Sequence, residues 1–263
     1  MQSKQGMRSI LLILLSLIIT LQFTACKSAV KKNKDNLYSR HLQEKVSLSI
    51  ITTPMPEEKN DMNLLLYLDK DEFEKLRVDE LVDSLKKNKL IRPLMIVAVK
   101  GKLKNYGWVE GNREAEKMDD FIIKELLPYI KKKTSIRKFN SIAVWGDGKP
   151  GVAALSLAWM HADKIDKTGL HNADFDYAGK GDSLDLVLEQ LMQSRKRPKL
   201  QYWLYASKSD SMRYQSAEQL VKIINKKNIS READINFMND ENNNGNDVLR
   251  NDFAAFLVWA FGN

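Results

Sequence analysis

Cysteine occurs once in the 263 residues, at Cys26; histidine occurs three times, proline six and glycine twelve. A lone thiol excludes a disulfide framework, so packing alone must hold the domain together. Three histidines leave little imidazole for proton transfer, and no metal or cofactor set is expected. Proline and glycine are too sparse for a collagen-like or low-complexity chain, and no repeat of solenoid or propeller period occurs. The apolar run Ile10–Leu21 is shorter than the roughly 20 residues that cross a bilayer. The net charge is +8, yet no stripe of Arg and Lys interleaved with aromatics marks a nucleic-acid surface.

What is present begins with a leader. Met1–Arg8 is basic, Ile10–Leu21 is apolar, and the small residues of "FTAC" end at Cys26. This resembles the bacterial lipoprotein signal, with Phe23 where an aliphatic residue is usual. The resemblance implies removal of residues 1–25 and lipidation of Cys26. Lys27 and Ser28 then favour the outer membrane, facing the periplasm, over inner-membrane retention. Residues 26–43 are polar and lysine-rich and read as a solvated tether. The globular domain is expected over 44–263.

Beyond residue 44, short apolar runs alternate with amphipathic stretches. "VSLSIIT" (46–52) reads as an edge strand and "NLLLYLD" (63–69) as a strand covered on both faces. "DEFEKLRVDELVDSLKKN" carries Phe73, Leu76, Leu81, Val82 and Leu85 at helical spacing, acids first and lysines last. "PLMIVAVKG", "FNSIAVWG", "DKTGLHN", "KLQYWLYAS" and "ADINFMN" read as strands. Residues 112–133, 151–162, 183–194, 211–227 and 247–261 read as helices. Such alternation predicts an α/β fold with a mostly parallel sheet, and function at the carboxyl ends of its strands.

Four segments, "LLLYLDKDEF", "VDELVDSLKKNKLIRPLMIVAVKG", "DDFIIKELLPYIKKK" and "GDGKPGVAALSLAWMHADKIDKTG", occur in this order. Together they resemble the esterases of the α/β-hydrolase fold, the group that includes enterochelin esterase and esterase D. The resemblance covers most of the chain after the tether. It implies an α/β-hydrolase fold with helices on both faces of the sheet, and a serine–histidine–acid relay. Gly148 stands at the position of the serine, Asp210 at the acid and Asn246 at the histidine. Glycine has no attacking atom, and an amide does not titrate near neutrality. Lys70 replaces a glycine of the oxyanion loop. Asp69, Lys70, Trp108, Asp147, Lys149 and His171 are the expected cleft residues, Trp108 as an aromatic wall. His41, in the tether, and His161, in a surface turn, are expected to be structural.

The turn "GDGKPG" admits other readings. Asp147 could attack in place of serine, but Trp145 and Lys149 crowd it and an ester intermediate still needs a base. A phosphate cradle would need Ser or Thr after a Gly-Lys pair, and Pro150 removes an amide. "DENNNGNDVLRN" (240–251) partly fits a calcium loop, but Asn251 stands where a bidentate Glu belongs. The expectation is an esterase-fold lipoprotein without serine-hydrolase catalysis. It would bind an unknown small molecule or protein in the cell envelope. The alternative is an acyl esterase with a rearranged site.

Overall fold

The structure is a computed structural model that describes residues 30–100, 113–175, 186–227, 234–240 and 245–263. Eight strands form one sheet in the order β1-β2-β4-β3-β5-β6-β7-β8. They are β1 (Lys31–Ser39), β2 (Glu44–Thr52), β3 (Asn63–Tyr67), β4 (Leu94–Lys100), β5 (Ile142–Asp147), β6 (Lys167–His171), β7 (Gln201–Ser207) and β8 (Ile235–Asp240). β1 runs antiparallel to β2, and β2 antiparallel to β4. From β4 to β8 every pairing is parallel.

The described helices are α1 (Lys70–Lys75), α2 (Val78–Lys87), α3 (Arg113–Asp120), α4 (Leu127–Thr134), α5 (Lys149–Met160), α6 (Leu186–Gln193), α7 (Ser211–Lys227) and α8 (Asn246–Phe261). α3 and α4 are joined by a π-helical turn, Phe121–Leu126. Pro128, at the start of α4, lacks the N–H that an unbroken α-helix would use there, and the wider turn before it accommodates the ring.

Successive β-strand side chains point to opposite faces, and β3 shows what that does here. Leu64 and Leu66 join one apolar layer with Val97, Val144, Phe121, Leu155 and Leu220. Leu65 and Tyr67 join the other with Ile96, Trp145, Val82, Phe253 and Phe256. Two separate cores on the two faces are the signature of a sheet covered by helices on both sides.

The structure corrects the sequence reading at three places. Residues 31–39, read as tether, form the edge strand β1, so β2 is an interior strand. The apolar signal of β1 is weak because it has only one neighbour and most of its side chains are exposed. Side chains tie it down: Ser39 Oγ donates to Glu125 at 2.6 Å, and Tyr129 and Lys133 both bond Asp35. His41 therefore lies in the β1–β2 turn, 3.4 Å from Asp120. The stretch read as one helix over 71–88 is two, because Arg77 adopts a left-handed conformation (φ 51°) between α1 and α2.

If β1 belongs to the fold, a chain of residues 44–263 should melt lower than one of residues 30–263. The expected drop is about 5 °C or more in a circular-dichroism melt. Equal melting temperatures would return residues 31–39 to the tether.

Candidate functional site

β5 delivers Trp145, Gly146 and Asp147 to the carboxyl edge of the sheet, and the chain turns sharply at Gly148 into α5. Gly148 has φ 58° and ψ −122°, a conformation that L side chains rarely adopt. A Cβ on Gly148 would have no neighbour within 4 Å, whereas one on Gly146 would lie 2.1 Å from the Pro150 carbonyl oxygen. The turn thus needs a glycine at 146 for close approach, and leaves the apex open. Its frame is held by β6: Gly148 N–H donates to the His171 carbonyl at 2.9 Å, and Asp174 N–H donates to the Gly148 carbonyl at 3.0 Å.

Asp147 and His171 are paired residues at the ends of neighbouring strands. The imidazole Nδ1–H donates to Asp147 Oδ1 at 2.7 Å. The His171 ring stacks on Tyr205 with centroids 4.5 Å apart, and the residue is only 4% exposed. Its Nε2 makes no hydrogen bond to the described residues, nor do the Tyr205 hydroxyl and Asp252 Oδ2.

Asp252 comes from α8, where it shares the apolar stripe of Leu249, Phe253 and Phe256. Its Oδ1 accepts from Trp203 Nε1 at 2.9 Å. Burial pushes its carboxyl up to about 6, opposed by His171 and the Trp203 hydrogen bond. Glu72, in the first turn of α1, is pushed up to about 7 by burial and by the charges of Asp147 and Asp69. The same three carboxylates, after burial itself, raise the Tyr67 hydroxyl well above its ordinary range. The crevice is therefore a region of negative potential.

The other expected site residues take different places. Asp69 caps α1, accepting from the amides of Asp71 and Glu72 at 2.9 and 3.1 Å. Lys70 turns toward β2: its Nζ is 3.4 Å from Glu74, which also accepts from Ser49 Oγ. Its side chain is largely buried beside that carboxylate. Asp210 caps α7, bonding the Arg213 amide at 3.2 Å and the Arg213 guanidinium at 3.3 Å. Asn246 is the exposed first residue of α8, and Lys149 the first of α5. Gly148, Asp210 and Asn246 thus form no proton relay. Trp108, Cys26 and the centre of the 240–251 loop lie outside the described residues. Among the described residues no group of three His, Cys, Asp or Glu is placed to hold a metal ion.

Sequence reasoning missed Asp252, Glu72 and Tyr205. Asp252 had a readable signal, a lone carboxylate on an otherwise apolar helical stripe. Glu72 had none, since an acid three residues after Asp69 suits an ordinary helix start.

The strand order, the two helical layers and a positive-φ turn between β5 and α5 define an α/β-hydrolase fold. The family model described as Putative esterase matches residues 39–249, and the chain belongs to that family. Among solved structures it is similar to the enterobactin esterase of Shigella flexneri, at 16% identity and a TM-score of 0.69, over 87% of this chain and 58% of that one. A ferulic acid esterase matches at 14% and 0.68, over 89% of this chain and 99% of the other. A siderophore hydrolase of Aspergillus nidulans matches at 12% and 0.66, over 91% and 96%. No curated protein matches in sequence. The chain spans little more than half of the Shigella enzyme, and at these identities the likeness is one of fold.

The raised carboxyl of Asp252 has a consequence for stability. In the unfolded chain Asp252 ionises near 4, whereas in the folded chain it holds its proton to about 6. The native state binds more protons between these values, so stability falls as pH rises through this window. The cost is absent below pH 4 and complete above about pH 7. Asp252→Asn keeps an acceptor for Trp203 and should be more stable than the parent by about 1–3 kcal/mol at pH 8, with no gain at pH 4. Urea denaturation at the two pH values measures both.

Proposed function

We propose that this chain is a lipid-anchored, periplasm-facing member of the esterase family that binds a ligand in the ancestral crevice and does not hydrolyse esters through a serine relay. The observation that carries the reading is Gly148. The turn keeps the backbone form that would aim a nucleophile, and its apex bears no side chain. The place of the relay histidine is filled by Asn246 at a helix start, and Asp210 serves as a cap with Arg213 as its partner. No activated nucleophile follows from these groups.

Binding is supported by the ground beside the turn. A hollow of about 320 Å³ is lined by Asp174, Phe175, Asp210, Met212, Arg213 and Ser216. Asp174 is bonded to the elbow itself, so this hollow adjoins the apex. It offers carboxylates and a guanidinium to a polar small molecule or a peptide. The anchor, by this reading, is Cys26, carrying lipid in the outer membrane.

A second reading is favoured by one contact, the Asp147–His171 hydrogen bond. Asp147 stands next to the open apex, and His171 orients it. In that reading Asp147 attacks an acyl carbon or draws a proton from water. The two readings part on activity. The binding protein should not label with a fluorophosphonate and should leave a nitrophenyl ester at the background rate. Gly148→Ser, at about 1–3 kcal/mol of backbone strain, should stay unlabelled, because His171 Nδ1 is held by Asp147 and its Nε2 is buried. Turnover by the parent that vanishes in Asp147→Asn and in His171→Ala would establish the rearranged hydrolase instead.

A further inference from the structure

We infer that the end of the domain opposite the crevice docks on an anionic phospholipid surface, so that the crevice faces away from the membrane. This rests on the anchor at Cys26 proposed above, and on two independent observations: where the chain leaves the fold, and how charge is distributed along the strand direction.

The first is length and direction. β1 begins at Lys31, so five Cα steps separate the anchor from the sheet, a reach of at most about 17 Å. With Cys26 as the anchor, that reach keeps the start of β1 near the lipid, which a tether running to residue 43 would not. Lys31 pairs with Thr52, and Thr52 with Met95, at the amino-terminal end of β4. The chain therefore enters at the amino ends of the parallel strands. Asp147 and His171 lie at the opposite ends, further from the lipid by the length of β5, roughly 20 Å.

The second is charge. The loops at the amino ends carry exposed Lys89, Arg92, Arg137, Lys138, Arg195 and Lys199. The lysines that close α2, α4 and α7 add to them and answer the helix dipoles. Arg92 bonds the Gly262 carbonyl at the C-cap of α8 at 2.8 Å, whereas Lys89, Arg137, Lys138, Arg195 and Lys199 lie outside helices. The loops before β3 and β6 are acidic exceptions, with Glu57, Glu58 and Asp61 in the first and Asp163 and Asp166 in the second. At the carboxyl ends stand Asp69, Asp71, Glu72, Asp147, Asp174, Asp210 and Asp240, interspersed with Lys70, Lys100, Lys149, Lys208 and Arg213, so that end carries mixed charge. Exposed Met55 and Leu90 supply apolar contacts at the basic end. A basic face held within a Debye length or two of anionic headgroups is attracted to them, and the mixed-charge end has no such pull.

The test uses the full chain reconstituted in vesicles. Once Cys26 is lipidated, an introduced cysteine is the sole free thiol. Arg137→Cys and Lys199→Cys report on the basic end, and exposed Met212→Cys on the crevice end. Each carries an environment-sensitive fluorophore, read with a headgroup-linked quencher. In vesicles containing phosphatidylglycerol the basic-end labels should be quenched about threefold or more over the Met212 label, and high salt should erase the difference. Arg137→Glu with Lys138→Glu should weaken it while leaving the melting temperature in place.

Palmitate incorporation, lost in Cys26→Ser, reports the anchor separately. Docking through the basic face without palmitate would overturn the anchor and not the face. Palmitate with equal quenching at both ends, or with the Met212 label nearer the lipid, would overturn the orientation. So would a basic end that stays open on vesicles and is covered only when cell-wall sacculi are added.

Discussion

The architecture of the site depends on one tight reversal of chain, from β5 through Gly148 into α5. The strand must hand the chain to a helix that packs back on the sheet, and the turn brings residue 146 against the carbonyl of Pro150. Glycine at 146 permits the approach and glycine at 148 permits the positive φ. Two backbone hydrogen bonds, one to the end of β6 and one from the loop after it, then register the turn against its neighbour. Everything in the crevice follows from that registration, because it sets Asp147 beside His171 and leaves the apex open. A serine enzyme accepts strain at this turn to expose a nucleophile. Here glycine removes the strain and the nucleophile together, while the shape persists.

The crevice concentrates negative charge around a single imidazole. Burial and the charges of Asp147 and Asp69 raise the pKa of Glu72, and Asp252 lies behind them in an apolar layer. His171 is held from both sides, by the carboxylate of Asp147 and by the flat face of Tyr205. Buried carboxylates of this kind cost stability, as the raised pKa of Asp252 states directly.

Much of the fold was legible because its strongest signals are local. Continuous apolar runs at 63–67 and 94–99, buried on both faces, could only be interior strands of a helix-covered sheet. The segments that resemble esterases ran in the order the structure threads them. β1 escaped because an edge strand with one neighbour and a lysine-rich exposed face looks like solvated linker. The break at Arg77 escaped because a left-handed residue between two helices leaves the apolar spacing intact.

The sequence by itself determined what the site lacks: a glycine cannot attack and an asparagine cannot take a proton, whatever surrounds them. It also determined the layered α/β class, through the lengths and periods of its apolar runs. Only the tertiary structure decided what stands there instead. Asp147 and His171 are far apart along the chain and meet because β5 and β6 are neighbours in register. Asp252 joins them through a helix at the far end of the chain, and Lys70 pairs with a glutamate one turn along α1. Proximity across strands and the burial that shifts a pKa are properties of packing, and they do not exist until the chain has folded.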